Sequence, residues 1–156
     1  MDTLKKCWAI LKLIYLYLAY WLVGLPEELF YTEKGNYLME LNAYDPAIRT
    51  YKKALRDAND RRIHAMIGYC HSQMGSHKEA VENYRQAYKK IHDQNIDIGL
   101  AISEYEAGNI DESETIINDL RRSTKIDTST KETLDNLEAR IALVRRERKN
   151  LDKYRE

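Results

Sequence analysis

Between residues 29 and 120 one pattern of small and large side chains recurs at a spacing of 33. Gly35 is answered by Gly68 and Ala101, Asn42 by Gly75 and Gly108, Ala47 by Ala80 and Ser113, Tyr51 by Tyr84 and Ile117, and Ala54 by Ala87 and Leu120. Two paired helices pack closely only where one offers small side chains and the other inserts bulky ones. A fixed period of such pairs marks a helical solenoid, in which each unit buries its apolar face on its neighbour. Surfaces of this kind bind other molecules.

The first repeat, 28–60, opens with a helix carrying Tyr31, Gly35, Leu38 and Leu41 at helical spacing. Asn42, Ala43 and Tyr44 make the turn, and Asp45-Pro46 reads as an N-cap followed by proline at the first helical position. Asp57 to Asp60 end the second helix and supply a cap for the next. In the second repeat, 61–93, Gly75 closes one helix and Ser76 to Glu79 opens the other as a capping box. The third, 94–126, turns at Gly108, and Asp111 to Glu114 reads as another capping motif. A third S-x-x-E, Ser129 to Glu132, precedes an apolar stripe of Leu134, Leu137, Ile141, Val144 and Leu151. This last helix, 127–156, is expected to cover the open end of the array; a coiled-coil seam is the alternative, and three heptads is short for one.

Ahead of the repeats lies an apolar segment, 7–25, interrupted only by Lys12. Its length reaches the range that crosses about 30 Å of hydrocarbon. Trp8, Tyr20 and Trp21 sit near its ends, as interfacial anchors do. Residues 1–26 are therefore expected to be a single-pass membrane anchor. Lys5 and Lys6 before it and Glu27 and Glu28 after it place the amino terminus in the cytoplasm and the repeats on the far side. Two other dispositions stay open: a helix packed on the first repeat or lying at an interface, with the chain cytoplasmic, and a cleaved signal peptide. The last is disfavoured because no small-x-small site follows the apolar run.

With 25 basic and 25 acidic residues, the chain has no electrostatic footprint of a nucleic-acid binder. Charge is nonetheless uneven. Residues 104–119 hold Glu104, Glu106, Asp111, Glu112, Glu114 and Asp119 with no base, and 140–155 hold Arg140, Arg145, Arg146, Arg148, Lys149, Lys153 and Arg155 against Glu147 and Asp152. Each run reads as a solvated helix face or, functionally, as a surface that steers an oppositely charged partner. His64, Cys70 and His71 are metal-ligand types. Adjacent helical residues point about 100° apart and residues seven apart lie two turns away, so no metal site is expected. Neither a phosphate loop nor a nucleophile with a neighbouring base occurs, so no cofactor and no enzyme activity are expected.

The column Gly35, Ala47, Tyr51, Ala54, repeated as Gly68, Ala80, Tyr84, Ala87, resembles the tetratricopeptide repeat. The resemblance spans roughly 95 residues, 27–122, and the period is one short of the family's typical 34 or so. Ala101, Ser113 and Ile117 depart from the pattern in the third repeat, and the proline usual near the end of the second helix is absent. The resemblance implies an all-α, right-handed superhelical solenoid of antiparallel helix pairs. It also implies a concave groove, lined by the first helix of each pair, that receives a peptide or helix. In this chain the lining would be Thr32, Asn36, Met39 and Glu40, then Arg62, Ala65, Tyr69, Ser72 and Gln73, then Ile98, Ile102, Tyr105 and Glu106. Some family members clamp the terminal carboxylate of chaperones. Here only Asn36 fits that clamp, with Thr32, Met66, Asn95 and Ile98 at its other positions, so a chaperone tail is not the expected ligand. The leading expectation is a scaffold or adaptor tethered to a membrane through residues 7–25. The alternatives are a soluble chaperone or adaptor, and a structural subunit that self-assembles through residues 134–151.

Overall fold

A computed structural model describes residues 2–57, 60–88, 93–122 and 126–152. It holds eight helices among those residues: α1 Asp2–Val23, α2 Glu27–Glu40, α3 Tyr44–Asp57, α4 Arg61–Gln73, α5 His77–Tyr88, α6 Gln94–Glu106, α7 Ile110–Arg122 and α8 Thr128–Asp152. The chain forms two compact units, Met1–Ala87 and Tyr88–Glu156. The all-helical, paired architecture is the expected one.

In the first unit, Ala47, Ile48, Tyr51 and Ala54 of α3 pack on Ile63, Ile67 and Cys70 of α4. The small-large columns are the contacts that bring the helices together. A Cβ at Gly35 would lie within 2.8 Å of three ring carbons of Tyr51, and one at Gly68 would lie 3.0 Å from the Tyr84 ring. Glycine in a helix costs about 1 kcal/mol relative to alanine, so these positions give up propensity for close approach.

The Asn42, Gly75, Gly108 column has a different cause. All three residues are left-handed, with φ of 58°, 75° and 89°. Each follows a first helix and lets the next amide turn back: Ala43 N–H reaches the Leu38 carbonyl, Ser76 the His71 carbonyl and Asn109 the Glu104 carbonyl. This is the Schellman closure, which favours glycine and tolerates asparagine.

Three helix starts differ from the sequence expectation. α3 begins at Tyr44, and its first backbone bond runs from Ala47 N–H to the Ala43 carbonyl. Asp45 is thus in the first turn rather than at the cap, and Pro46 still falls where no donor is needed. α7 begins at Ile110, so the residue before it is Asn109, while Asp111 lies inside the first turn. For α8 the cap is Asp127, whose Oδ1 accepts from Thr130 N–H at 2.7 Å, two residues before the expected Ser129. Acids placed in a first turn favour the helix through its dipole and mimic a capping box in sequence. Ser76 and Asp60 stand where expected; Asp60 accepts from Arg62 N–H at 2.9 Å.

α1 lies antiparallel along α2. Lys12 Nζ meets the Glu40 carboxylate at 3.1 Å, Tyr17 and Tyr20 flank the Phe30 ring with centroids 5.2 and 4.3 Å away, and Lys34 donates to the Tyr17 hydroxyl. Among the described side chains of α1 only Ala9 and Leu16 are buried, and most of its large apolar residues are exposed. The stretch Lys6–Val23 is long and apolar enough to cross a membrane by length and composition, with 11% of it buried in the fold.

The second unit is built on Ala101, Ile110, Ile117, Leu120, Leu134, Leu137 and Ile141. Ser113 does more than keep a crossing close: its buried hydroxyl donates to the Ala101 carbonyl at 2.8 Å. The first half of the α8 stripe is spent in this core, and Leu151 is exposed. The acidic and basic runs meet each other here. Arg140 pairs with Glu106 at 2.6 Å, and Arg145 with Asp111 at 2.7 Å and Glu114 at 2.6 Å.

Candidate functional site: a cleft between α2 and α4

Within the first unit, α2 and α4 are the first helices of consecutive pairs, and the face they share is left open. It forms a cleft of about 540 Å³ lined by Pro26, Glu28, Leu29, Thr32, Glu33 and Asn36 on one side and Asp60, Arg62, Ile63 and Met66 on the other. Leu29, Ile63 and Met66 give it apolar surface, and Ile63 is rooted in the core. The helical spacing 29, 32, 33, 36 puts the α2 contributors on one stripe.

Asn36 is the most constrained polar group. Its Oδ1 accepts from the Tyr51 hydroxyl at 2.7 Å, which sets the amide orientation and leaves the NH2 as the donor for a ligand. Thus the tyrosine that requires glycine at 35 also aims the side chain at 36. Arg62 is committed at the rim: its Nε and Nη2 donate to Asp60 at 3.3 and 3.1 Å. Burial works to raise the Asp60 carboxyl, but these hydrogen bonds and the Arg62 charge outweigh it and hold the group below the usual carboxylate range. With Arg62 balanced by Asp60, Glu28 and Glu33 leave the cleft acidic.

Of the residues expected from sequence, Thr32, Asn36 and Arg62 line this cleft. Met39 packs against the core, Glu40 is held by Lys12, and Tyr69 and Gln73 are exposed farther along α4. In the second unit Ile98, Ile102 and Tyr105 pack around the core. The Arg140 guanidinium sits 4.4 Å from the Tyr105 ring centroid while bonding Glu106, so α8 already engages that face. A smaller cleft of about 330 Å³ remains between α6 and α8, lined in part by Ile102, Asn136 and Arg140. Sequence reasoning did not single out Glu28, Leu29, Glu33 or Ile63 for the groove, although the α2 period that contains Thr32 and Asn36 includes the first three.

Cys70 is buried, and burial pushes its thiol up to about 11, whereas Cys7 is exposed. No group of three His, Cys, Asp or Glu side chains suited to a metal ion occurs among the described residues. A thiol reagent at about pH 8 is expected to modify Cys7 alone in the native chain and both residues in denaturant, because the thiolate is the reacting form. Rapid modification of Cys70 without denaturant would show that the α3–α4 core opens.

This geometry defines a helical-repeat protein with an open cleft between successive first helices. Residues 30–56 and 62–89 match the family model for the tetratricopeptide repeat, so the first two repeats are of that kind. Among solved structures, the chain is similar to the Sgt2 TPR domain from Aspergillus fumigatus, with a TM-score of 0.68 and 18% identity, covering 78% of this chain and 83% of that one. It is also similar to yeast Tom70, with a TM-score of 0.67 and 22% identity over 79% of this chain, but it spans only 26% of the Tom70 chain. At these identities the likeness is one of fold. No protein of curated function matches the sequence.

Proposed function

We propose that this chain is a protein–protein interaction module, held at a membrane through α1, that takes a short peptide or helix of a partner in the α2–α4 cleft. The observation that carries the binding role is the cleft itself, with an apolar floor, an oriented Asn36 amide and an acidic surplus from Glu28 and Glu33. Its volume suits one short segment, and its charge selects a partner segment carrying Lys or Arg beside Leu or Phe. The exposed apolar length of α1 supports the membrane role, since contiguous surface of this kind marks an interaction site. A second reading, a soluble adaptor, draws on the packing of α1 against α2.

Titrating the full chain with short basic-apolar peptides, and with acidic ones as controls, tests the cleft. Basic peptides are expected to bind in preference, and Asn36→Ala to weaken them about tenfold, as loss of an interface hot spot does. Glu33→Lys is expected to weaken them further and to flatten the salt dependence. Equal binding of acidic and basic peptides, or indifference to both substitutions, would remove the cleft as the site.

A further inference from the structure

Resting on the membrane reading above, we infer that α1 lies in the plane of a phospholipid bilayer, its outer face in the interfacial region and α2 riding on its back, rather than spanning it. Three observations carry this.

The first is where the charge goes. Lys12 is the sole charged residue between Cys7 and Val23, and it pairs with Glu40 of α2 at the partly exposed flank of the helix. The opposite face, centred on Ile14 and Leu18 with Ile10, Leu11, Trp21 and Leu22 beside them, is exposed and uncharged.

The second is where the tyrosines stand. At about 100° per residue, Tyr15 and Tyr17 fall roughly 80° to either side of the line through Ile14 and Leu18. Both are exposed, and the Tyr17 hydroxyl is bonded by Lys34. In a helix lying flat, both hydroxyls edge the apolar face at headgroup depth, where amphipathic rings are favoured. In a spanning helix the same two residues would occupy the middle of the hydrocarbon, where an unpaired hydroxyl is costly.

The third is α2. The chain reverses at Gly24 and Pro26, and α2 returns alongside α1 carrying Glu27, Glu28, Glu33, Lys34 and Glu40. A span would either bring these charges into lipid or strip α2 away, uncovering Ala9 and Leu16 and breaking the Lys12–Glu40 pair. Lying flat keeps every one of these contacts and buries only the face that nothing else covers.

The chain's two tryptophans, Trp8 and Trp21, are both in α1, so its tryptophan emission reads this helix alone. The full chain is mixed with phosphatidylcholine vesicles and floated. Single-tryptophan versions, Trp8→Phe and Trp21→Phe, are then quenched with lipids brominated at shallow or deep positions. The expected result is co-flotation, release by alkaline carbonate, and strongest quenching of both tryptophans by the shallow bromines. Leu18→Glu, or Ile14→Glu should that variant misfold, is expected to abolish flotation while the helical circular dichroism stays unchanged. Flotation that survives carbonate, or tryptophans reporting from opposite leaflets, would overturn the inference in favour of a span and leave the membrane tether standing. If the chain fails to float, both the inference and the tether fall; a dimer in light scattering that Leu18→Glu dissociates would then assign the face to a second copy. The peptide titration of the α2–α4 cleft is untouched by any of these outcomes.

Discussion

Gly35→Ala is expected to destabilise the first unit by about 2 kcal/mol, although alanine is the better helix former by about 1 kcal/mol. The added methyl has nowhere to go. Its carbon would fall within 2.8 Å of three ring carbons of Tyr51, a residue with no exposed surface. The ring cannot slide away, because Ala47 and Ala54 share its core cluster and its hydroxyl is bonded to Asn36. Overpacking of this type costs about 1–3 kcal/mol beyond the strain-free case, and loss of the Tyr51–Asn36 bond adds to it. Gly68→Ala provides an internal comparison: there the methyl stands 3.0 Å from the Tyr84 ring, and the nearest backbone oxygen, that of Ala80, is 3.3 Å away. Urea unfolding of both variants should therefore rank Gly35→Ala well below Gly68→Ala, with wild type above both. Tyr51→Leu combined with Gly35→Ala should recover part of the loss, since the two residues share one space and their effects cannot add. Equal midpoints for Gly35→Ala and wild type would show that α2 and α3 are not packed through this contact.

The same pairing explains how much of the molecule was legible beforehand. Columns that repeat at 33 residues are constraints on backbone approach and backbone hand, and both survive in sequence because few residue types satisfy them. Gly35 and Gly68 mark close crossings, and Asn42, Gly75 and Gly108 mark left-handed closures. Helix starts were less legible. Asp111 and Glu114 have the spacing of a capping motif but serve instead as partners of Arg145, and Asp127 takes the cap that Ser129 advertises. A carboxylate near a helix start lowers the energy in either role, so its presence alone does not fix the boundary. The first helices α2 and α4 line a cleft in the first unit, whereas in the second unit a long-range contact occupies α6. Nothing in the local pattern of α6 says that Arg140, 34 residues beyond Glu106, will fold back onto it. Likewise the apolar run of α1 conceals a narrow buried stripe, and its one clear signal was Lys12, a charge that needed a partner.

Leu134→Ala is expected to cost the second unit about 3 kcal/mol, the usual penalty for emptying a fully buried leucine site whose walls cannot collapse. Leu134 has no exposed surface and belongs to the same cluster as Ala101, Ile117 and Leu120, so its removal loosens α8 from both α6 and α7. The ion pairs across the same seam are more numerous and count for less. Arg145 bonds Asp111 and Glu114, and Arg140 bonds Glu106, but these side chains are 33–87% exposed. Pairs in water contribute about 0–1 kcal/mol each and are screened by salt. Arg145→Ala should accordingly lower stability by less than about 1 kcal/mol, and added salt should erase most of that difference while leaving the Leu134→Ala deficit in place. Amide exchange in α8 separates the two contributions: Leu134→Ala is expected to raise exchange along α8 and in the facing turns of α6, and Arg145→Ala only near its own turn. The opposite ranking, with the arginine variant the more damaging, would mean that α8 is held by its charge rather than its apolar face. The helix would then be a salt-releasable cover over Ile102, Tyr105 and Glu106 instead of a permanent wall of the core.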